Sequence, residues 1–203
     1  MSSAQLTTNE AKHASRNPMM RYAIANLHRT VRALLPDQIE SVLEVGVGEG
    51  YSTADVLRHR PNIRSVGGDL NIASVLEARQ RFPAMHYAMF DATHLPYADH
   101  SVDTVFSLEV LEHIPQPERA LQEMIRVTRK YVLISVPNEP MFRIQRLLSG
   151  KGLRMWGDHP EHVNHWSFQG IQRFLTSNDL HILTAYTPPP FAWSVVLCQT
   201  TSF

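Results

Sequence analysis

Short runs of apolar residues alternate with segments of helical periodicity along most of the chain. The apolar runs predict strands at residues 41–45, 63–68, 86–90, 102–107 and 131–136, with two further strand candidates at 182–186 and 194–199. Helical stretches lie between most pairs, and an N-terminal helix is predicted at 19–35, closed by Pro36. This order predicts an α/β fold with a doubly wound, mostly parallel sheet and a C-terminal antiparallel hairpin.

One long connection, residues 138–167, interrupts this alternation. It carries several glycines and prolines and lies between the fifth predicted strand and a predicted helix at 168–176. A connection of this length inside a compact domain is usually functional or disordered. Its apolar residues, among them Phe142 and Trp156, favour an ordered segment, because disordered chains are poor in such residues. We therefore expect a lid-like insertion at 138–167.

Composition narrows the classes of protein to consider. The chain has 203 residues, which suits a single domain over 1–203, and Lys+Arg and Asp+Glu are equal at 19 each. With no net charge and no basic run, we expect no nucleic-acid partner. The single cysteine, Cys198, indicates a reducing compartment, and no apolar segment is long enough to span a bilayer. We expect a cytoplasmic protein with no membrane span; the sequence leaves the oligomeric state open.

Residues 42–50, V-L-E-V-G-V-G-E-G, join an apolar strand to a glycine-rich turn. A turn of this kind before a helix is typical of a nucleotide cradle, because glycine lets a ligand approach the backbone closely. Dinucleotide folds require G-x-G-x-x-G, whereas here the third glycine comes one place early and Tyr51 fills the required position. A purely structural turn is the alternative for this motif alone.

Two aspartates follow the next predicted strands. Asp69 lies nineteen residues after Gly50, where nucleotide folds place an acid that accepts hydrogen bonds from a ribose diol. Its alternative role is that of a turn residue after two glycines. Asp91 ends the third strand, where a carboxylate can accept from an exocyclic amine or can cap a helix or an Asx-turn.

The segment from Asp103 to Ile114 has the pattern D-x-V-x-x-x-E-V-L-E-H-I, and the motifs S-V-P-N-E-P and H-V-N-H-W-S follow later. Together with the glycine turn, these motifs resemble class I S-adenosylmethionine-dependent methyltransferases of the ubiquinone/menaquinone-biosynthesis type, the methyltransferase type 11 kind. The resemblance implies a Rossmann-like seven-stranded sheet and S-adenosylmethionine as cofactor. It also implies a set of cofactor-binding residues: Glu44, Gly46, Gly48, Gly50, Asp69, Leu70, Asp91, Ala92, Leu108 and Glu109.

The implied activity is methyl transfer to a small-molecule acceptor. No N/D-P-P-Y motif follows the fourth strand, which argues against methylation of amino groups on DNA bases or glutamine. A non-catalytic S-adenosylmethionine-binding module is one alternative function. A nicotinamide-dependent reductase is another, and Tyr51 argues against it.

Three histidines are candidate general bases: His113 after the fourth strand, and His162 and His165 in the insertion. The carboxyl ends of parallel strands share one edge of the sheet, so these side chains are expected to face a common opening. Hydrogen bonding to loop backbone is the alternative role. His159, His162 and His165 are spaced i, i+3, i+6 without cysteines, which is not a recognised structural zinc spacing, so we expect no metal site.

Overall fold

Seven strands form one sheet in the computed structural model, which describes residues 15–148 and 161–201. The strands are β1 Ser41–Val45, β2 Arg64–Asp69, β3 His86–Met89, β4 Val102–Leu108, β5 Thr128–Pro137, β6 Leu180–Tyr186 and β7 Trp193–Thr200. The described helices are α1 Pro18–Leu34, α2 Tyr51–Leu57, α3 Ile72–Arg81, α4 Pro117–Val127, α5 Met141–Leu148 and α6 Phe168–Thr176, with a 3-10 turn at Leu111–His113.

The sheet order is β3-β2-β1-β4-β5-β7-β6. Strands β1 to β5 pair in parallel, whereas β7 is antiparallel to both β5 and β6. The predicted doubly wound sheet with a C-terminal antiparallel hairpin is therefore confirmed. Strand β7 lies inside the sheet, next to β5, and β6 forms the edge.

Successive residues of the central strands face opposite sides of the sheet and build two hydrophobic cores. Val42 packs with α1 and α2 on one face, while its neighbour Leu43 packs with α4 and α6 on the other. All residues of β1 and β4 are buried, as expected for parallel strands covered on both faces. Their apolar residues supply the two cores, and buried polar side chains such as Glu44, Asp103 and Ser107 interrupt the apolar runs.

Helix α1 begins one residue before its predicted start. The Asn17 side chain accepts a hydrogen bond from Met19 N, and Pro18 occupies the first helical position, where its missing N–H costs nothing. The helix ends at Leu34, and Leu35 is already extended ahead of Pro36. None of the helices in the described ranges is both long and apolar enough to cross a membrane.

Strand β5 starts earlier than predicted. Thr128 fits the helical spacing of the preceding apolar residues, but in the structure its backbone is extended and it pairs with Val102 of β4. The helical spacing is misleading here because a β-branched residue that follows a helix directly is also well suited to a strand.

The two ends of the insertion 138–167 meet at its base. Asn138 and Trp166 form a parallel β-bridge, and Glu139 N donates to Trp166 O at 2.9 Å. Helix α5 follows the first end, and residues 149–160, with His159, lie outside the described residues. The insertion therefore leaves and rejoins the domain at one point beside β5.

Candidate active site

The glycine turn after β1 is held against the end of β2. Gly46 N and Val47 N both donate to Gly68 O, at 2.8 and 2.9 Å. Gly48 N donates to Asp69 Oδ2 at 2.9 Å. Gly50, whose N donates to Val47 O, caps helix α2. The turn and Asp69 thus form one hydrogen-bonded unit at the carboxyl ends of β1 and β2.

Gly46 occupies a position where no other residue fits without rearrangement. Its φ is +79°, in the left-handed region that favours glycine. A Cβ atom on Gly46 would lie 2.3 Å from Val110 Cγ2, far inside van der Waals contact. The backbone of the turn therefore packs directly on the segment that follows β4.

Glu44 lies beneath this turn and is almost fully buried. The Thr53 hydroxyl of α2 donates to Glu44 Oε2. Burial raises the pKa of Glu44 from 4.5 to about 8, the Thr53 hydrogen bond opposes this shift, and the charge of Asp69 adds to it. Glu44 is therefore largely protonated below pH 8 and can donate as well as accept a hydrogen bond.

We expect Glu44 to make the ligand-free protein less stable as the pH rises from about 4.5 to about 8. In that window the unfolded chain has lost the Glu44 proton and the folded protein keeps it, so the free energy of unfolding falls with rising pH. Denaturant unfolding of the wild type and Glu44→Gln at pH 5 and pH 8 measures this difference. Parallel pH dependences of the two proteins would show that Glu44 titrates normally.

Asp69 ends β2 with both carboxylate oxygens directed to backbone amides. Oδ2 accepts from Gly48 N and Oδ1 accepts from Asn71 N, each at 2.9 Å. Each carboxylate oxygen has two acceptor sites, so these bonds leave capacity for a bound diol. The turn role and the ligand role of Asp69 are therefore compatible.

Asp91 forms the Asx-type turn that was the alternative to ligand binding. Its Oδ1 accepts from both the amide and the hydroxyl of Thr93, at 2.8 Å each. These two hydrogen bonds, the backbone one foremost, lower the pKa of Asp91 below its ordinary value. An exposed, ionised carboxylate of fixed orientation is thereby presented after β3.

Glu109 follows β4 in a strained conformation. Its φ is +61°, which is uncommon for a residue with a side chain, and its N donates to Ser135 O at 2.9 Å. The indole Nε1 of Trp193, at the start of β7, donates to Glu109 Oε2 at 2.8 Å. Trp193 thus fixes the Glu109 carboxylate at the edge of the sheet.

A cleft of about 1020 Å³ opens at this edge. The predicted residues that line it are Glu44, Gly46, Gly48, Asp69, Leu70, Asp91, Ala92, Leu108, Glu109, His113 and His162. Gly50 and His165 are not among the described residues that line it. The cleft is continuous from the glycine turn and the two aspartates to two of the three predicted histidines.

His113 and His162 meet in the wall of the cleft, although they are far apart in the chain. Their ring centroids are 5.0 Å apart, and the rings are nearly perpendicular. His113 Nδ1 donates to the backbone carbonyl of Glu161 at 2.9 Å. Backbone hydrogen bonding, the alternative role for these histidines, therefore applies to Nδ1 of His113.

His162 lies at the centre of a group of rings and carboxylates. Phe142 of α5 stacks on it with the centroids 5.4 Å apart, and His165 lies 6.3 Å away. His165 Nδ1 is 3.9 Å from Glu139 Oε1. We call Glu112, His113, Glu139, His162 and His165 the histidine cluster.

Comparison with known proteins identifies the family. A family model described as a methyltransferase domain matches residues 43–135, which run from β1 through the cleft-forming turns into β5. Over these residues the chain is similar to class I S-adenosylmethionine-dependent methyltransferases. The resemblance carried by the glycine turn and the E-V-L-E-H-I motif is thereby confirmed.

Curated relatives match up to half of the chain. A probable S-adenosylmethionine-dependent methyltransferase of Mycolicibacterium smegmatis is 37% identical over 106 residues, which cover 50% of this chain and 39% of the relative. A demethylmenaquinone methyltransferase of Beutenbergia cavernae is 36% identical over 90 residues, which cover 44% of this chain and 37% of the relative. The chain thus spans about two fifths of the length of these relatives.

Solved structures share the fold over almost the whole chain. The magnesium protoporphyrin IX methyltransferase of Synechocystis superposes with a TM-score of 0.69 at 14% identity, covering 93% of this chain and 90% of that one. This coverage is about twice that of the family match over residues 43–135, so the superposition reaches well beyond it. The methyltransferase fold therefore extends beyond the family match.

Several residues of the methyltransferase cleft were not predicted. Trp193, Phe142, Arg146 and Glu112 all line it. Glu112 directly precedes His113 in the quoted motif, so its proximity to the site was detectable. Trp193 and Phe142 had no such signal, because they reach the cleft only through the pairing of β7 with β5 and the course of the insertion.

Proposed function

We propose that this chain transfers the methyl group of S-adenosylmethionine to a small-molecule acceptor bound in the cleft. One observation carries the proposal: a single space of about 1020 Å³ joins the glycine turn to the histidine cluster. That volume is at the upper end of the usual range for ligand pockets, which suits a cofactor and a small acceptor together.

The cofactor is expected to bind along the carboxyl ends of β1 to β4. Asp69 accepts hydrogen bonds from the ribose diol, and Asp91 accepts from the adenine amino group. Leu70, Ala92 and Leu108 enclose the adenosyl group, whereas Glu44 and Glu109 lie near the methionine portion. The backbone of Gly46 and Gly48 approaches the ligand closely, and Gly50 shapes the turn.

The acceptor is expected to bind between the sulfonium and the histidine cluster. The acceptor's nucleophilic atom attacks the methyl carbon in line with sulfur; a bond to carbon forms, the carbon–sulfur bond breaks, and neutral S-adenosylhomocysteine leaves. Because the sulfonium is already activated, alignment and exclusion of water provide most of the catalysis. A hydroxyl acceptor must also lose its proton, and the histidine cluster is the group placed to remove it.

The insertion is proposed to act as a lid over this end of the cleft. Phe142 and Arg146 of α5 contribute to the cleft wall, with the Arg146 guanidinium 5.9 Å from the Phe142 ring centroid. An apolar ring beside a cation suits a flat acceptor that carries an acidic group. A cytoplasmic location stays a prediction that rests on the lone cysteine.

We expect S-adenosylmethionine and S-adenosylhomocysteine to stabilise the protein against heat, and NAD and NADP to have no effect. At a ligand concentration of a hundred times the dissociation constant, linkage adds about 2.7 kcal/mol to the free energy of unfolding. For a chain of this size that corresponds to a rise in Tm of about 5–10 °C. Melting curves recorded with each of the four ligands make the comparison.

Adenosine is a useful control ligand, because it shares the ribose and adenine groups but lacks the methionine portion. Stabilisation by NAD but by neither adenosyl ligand would favour the reductase alternative. Binding of S-adenosylmethionine without formation of S-adenosylhomocysteine across a broad set of acceptors would favour the non-catalytic module.

A further inference from the structure

The histidine cluster contains a ligand set for a metal ion. Glu112, His113 and His162 each offer one ligand atom, and the three atoms lie within 4.8 Å of one another. We propose that these three residues bind one divalent transition-metal cation in the wall of the cleft. Binding of the cation stands independently, whereas its role in catalysis rests on the proposed methyl transfer.

The donor set suits such a cation. Two imidazoles and one carboxylate are a common set for zinc and for iron(II), and they leave coordination positions open to a substrate. Glu112 is only 1% exposed, and a carboxylate so deeply buried is stabilised by positive charge nearby. A cation between Glu112 and the two imidazoles would add to the interactions that already stabilise this carboxylate. Its open positions would face the cleft, which all three residues line.

The two segments that carry the proposed metal-binding residues are hydrogen-bonded to each other. Val163 N and Asn164 N both donate to the backbone carbonyl of Glu112, at 2.8 and 3.1 Å. The Asn164 side chain donates to the carbonyls of Leu111 and Ile114, at 3.0 and 2.7 Å. These four bonds hold His162 beside the 3-10 turn that carries Glu112 and His113. The ligand set is therefore assembled by the fold itself.

His113 has the environment typical of a metal-binding histidine. Its Nδ1 donates to the carbonyl of Glu161, which fixes the tautomer and places the ring's lone pair on Nε2. Metal-bound histidines almost always donate their second nitrogen to a carbonyl or carboxylate in this way. We therefore assign Nε2 of His113 as its ligand atom.

A second trio shares His162. Glu139, His162 and His165 also place ligand atoms within 4.8 Å of one another. We favour the first trio because His165 is not among the described residues that line the cleft, and His113 is. The sequence argued against a metal because the histidines of the insertion alone have an unsuitable spacing; the structure adds Glu112 and His113 from the turn after β4.

The cation would change how the acceptor is activated. A hydroxyl oxygen that coordinates it loses its proton to solvent more readily, since a bound divalent cation lowers the pKa of a ligand oxygen. The resulting oxyanion attacks the methyl carbon as the carbon–sulfur bond breaks. The acceptor class indicated is therefore an alcohol, a phenol or an enol.

Titration of the chelator-treated full chain with Co²⁺ tests the site. Wild type is expected to bind one Co²⁺ per chain, with visible d–d absorption and displacement by Zn²⁺. His162→Ala and Glu112→Gln should lose this absorption, whereas His165→Ala should keep it. His59→Ala, which removes an exposed histidine on another part of the surface, is the matched control.

Each variant is first assayed for S-adenosylhomocysteine binding without metal, so that a misfolded variant is recognised. Absence of one-to-one Co²⁺ binding in wild type overturns the metal proposal, as does retention of the absorption in His162→Ala. Loss in His165→Ala with retention in His113→Ala would assign the ion to the other trio and contradict ours. Failure to bind S-adenosylhomocysteine in wild type would instead overturn the proposed function and leave the Co²⁺ result standing.

Discussion

Replacing His162 by alanine is expected to lower kcat by about 10²–10⁴-fold, because its imidazole either accepts the acceptor's proton or holds the cation that promotes loss of that proton. The affinity for S-adenosylhomocysteine should stay unchanged, because the proposed function assigns His162 to the acceptor and Asp69 and Asp91 to the cofactor. Steady-state methylation of an acceptor that the wild type uses, with calorimetry of S-adenosylhomocysteine, measures both quantities.

His162 is favoured over His165 for this experiment because it lies in the cleft wall. His165→Ala should have a smaller effect, through Glu139 and its neighbour His162, and His59→Ala should have none. Turnover of His162→Ala within a factor of a few of wild type would show that alignment alone carries the reaction.

Replacing Asp69 by alanine is expected to weaken S-adenosylmethionine binding by about 1.5–3 kcal/mol, the range for a hydrogen bond that involves a charged group. This corresponds to roughly a 10- to 150-fold rise in the dissociation constant. Two interactions are lost: the hydrogen bonds that Asp69 accepts from the ribose diol, and the hydrogen bond that it accepts from Gly48 N in the glycine turn. Calorimetric titration of the variant with S-adenosylmethionine provides the measurement.

Two further variants separate these two interactions. Asp69→Asn keeps one oxygen that can accept from Gly48 N but loses the charge, so an intermediate loss of affinity is expected. Asp37→Ala removes an exposed aspartate that pairs with Arg60 on the surface, and it should bind normally. Wild-type affinity in Asp69→Ala would restrict Asp69 to its role in the turn.

The sheet could be predicted because its signal is local. The buried strands β1, β4 and β5 contain short runs of apolar and β-branched residues, a local pattern that differs from the helical spacing of the segments between them. The boundary at Thr128 could not be predicted, because helix α4 passes into β5 without a loop and the residue suits both elements. The residue becomes part of β5 because it pairs with Val102, and that pairing is a long-range contact.

The residues at the two ends of the cleft also differ in how well the sequence predicts their proximity. The glycine turn and Asp69 are separated by one strand–helix–strand unit, so a spacing rule relates them. The contact between Trp193 and Glu109 joins residues 84 positions apart, and the bonds from Asn164 to the turn before Ile114 span about 50. No periodicity encodes such contacts, and the prediction that His165 faces the opening rested on its position with His162 in the insertion after the fifth strand.

Under the proposed function, the closed base of the insertion would separate the choice of acceptor from the binding of the cofactor. Because Asn138 and Trp166 pair where the segment leaves and rejoins the domain, its interior can change in length and composition while β5 and the glycine turn stay in place. For the protein engineer, the Asn138–Trp166 bridge marks the natural junctions at which the segment of another such domain could be grafted.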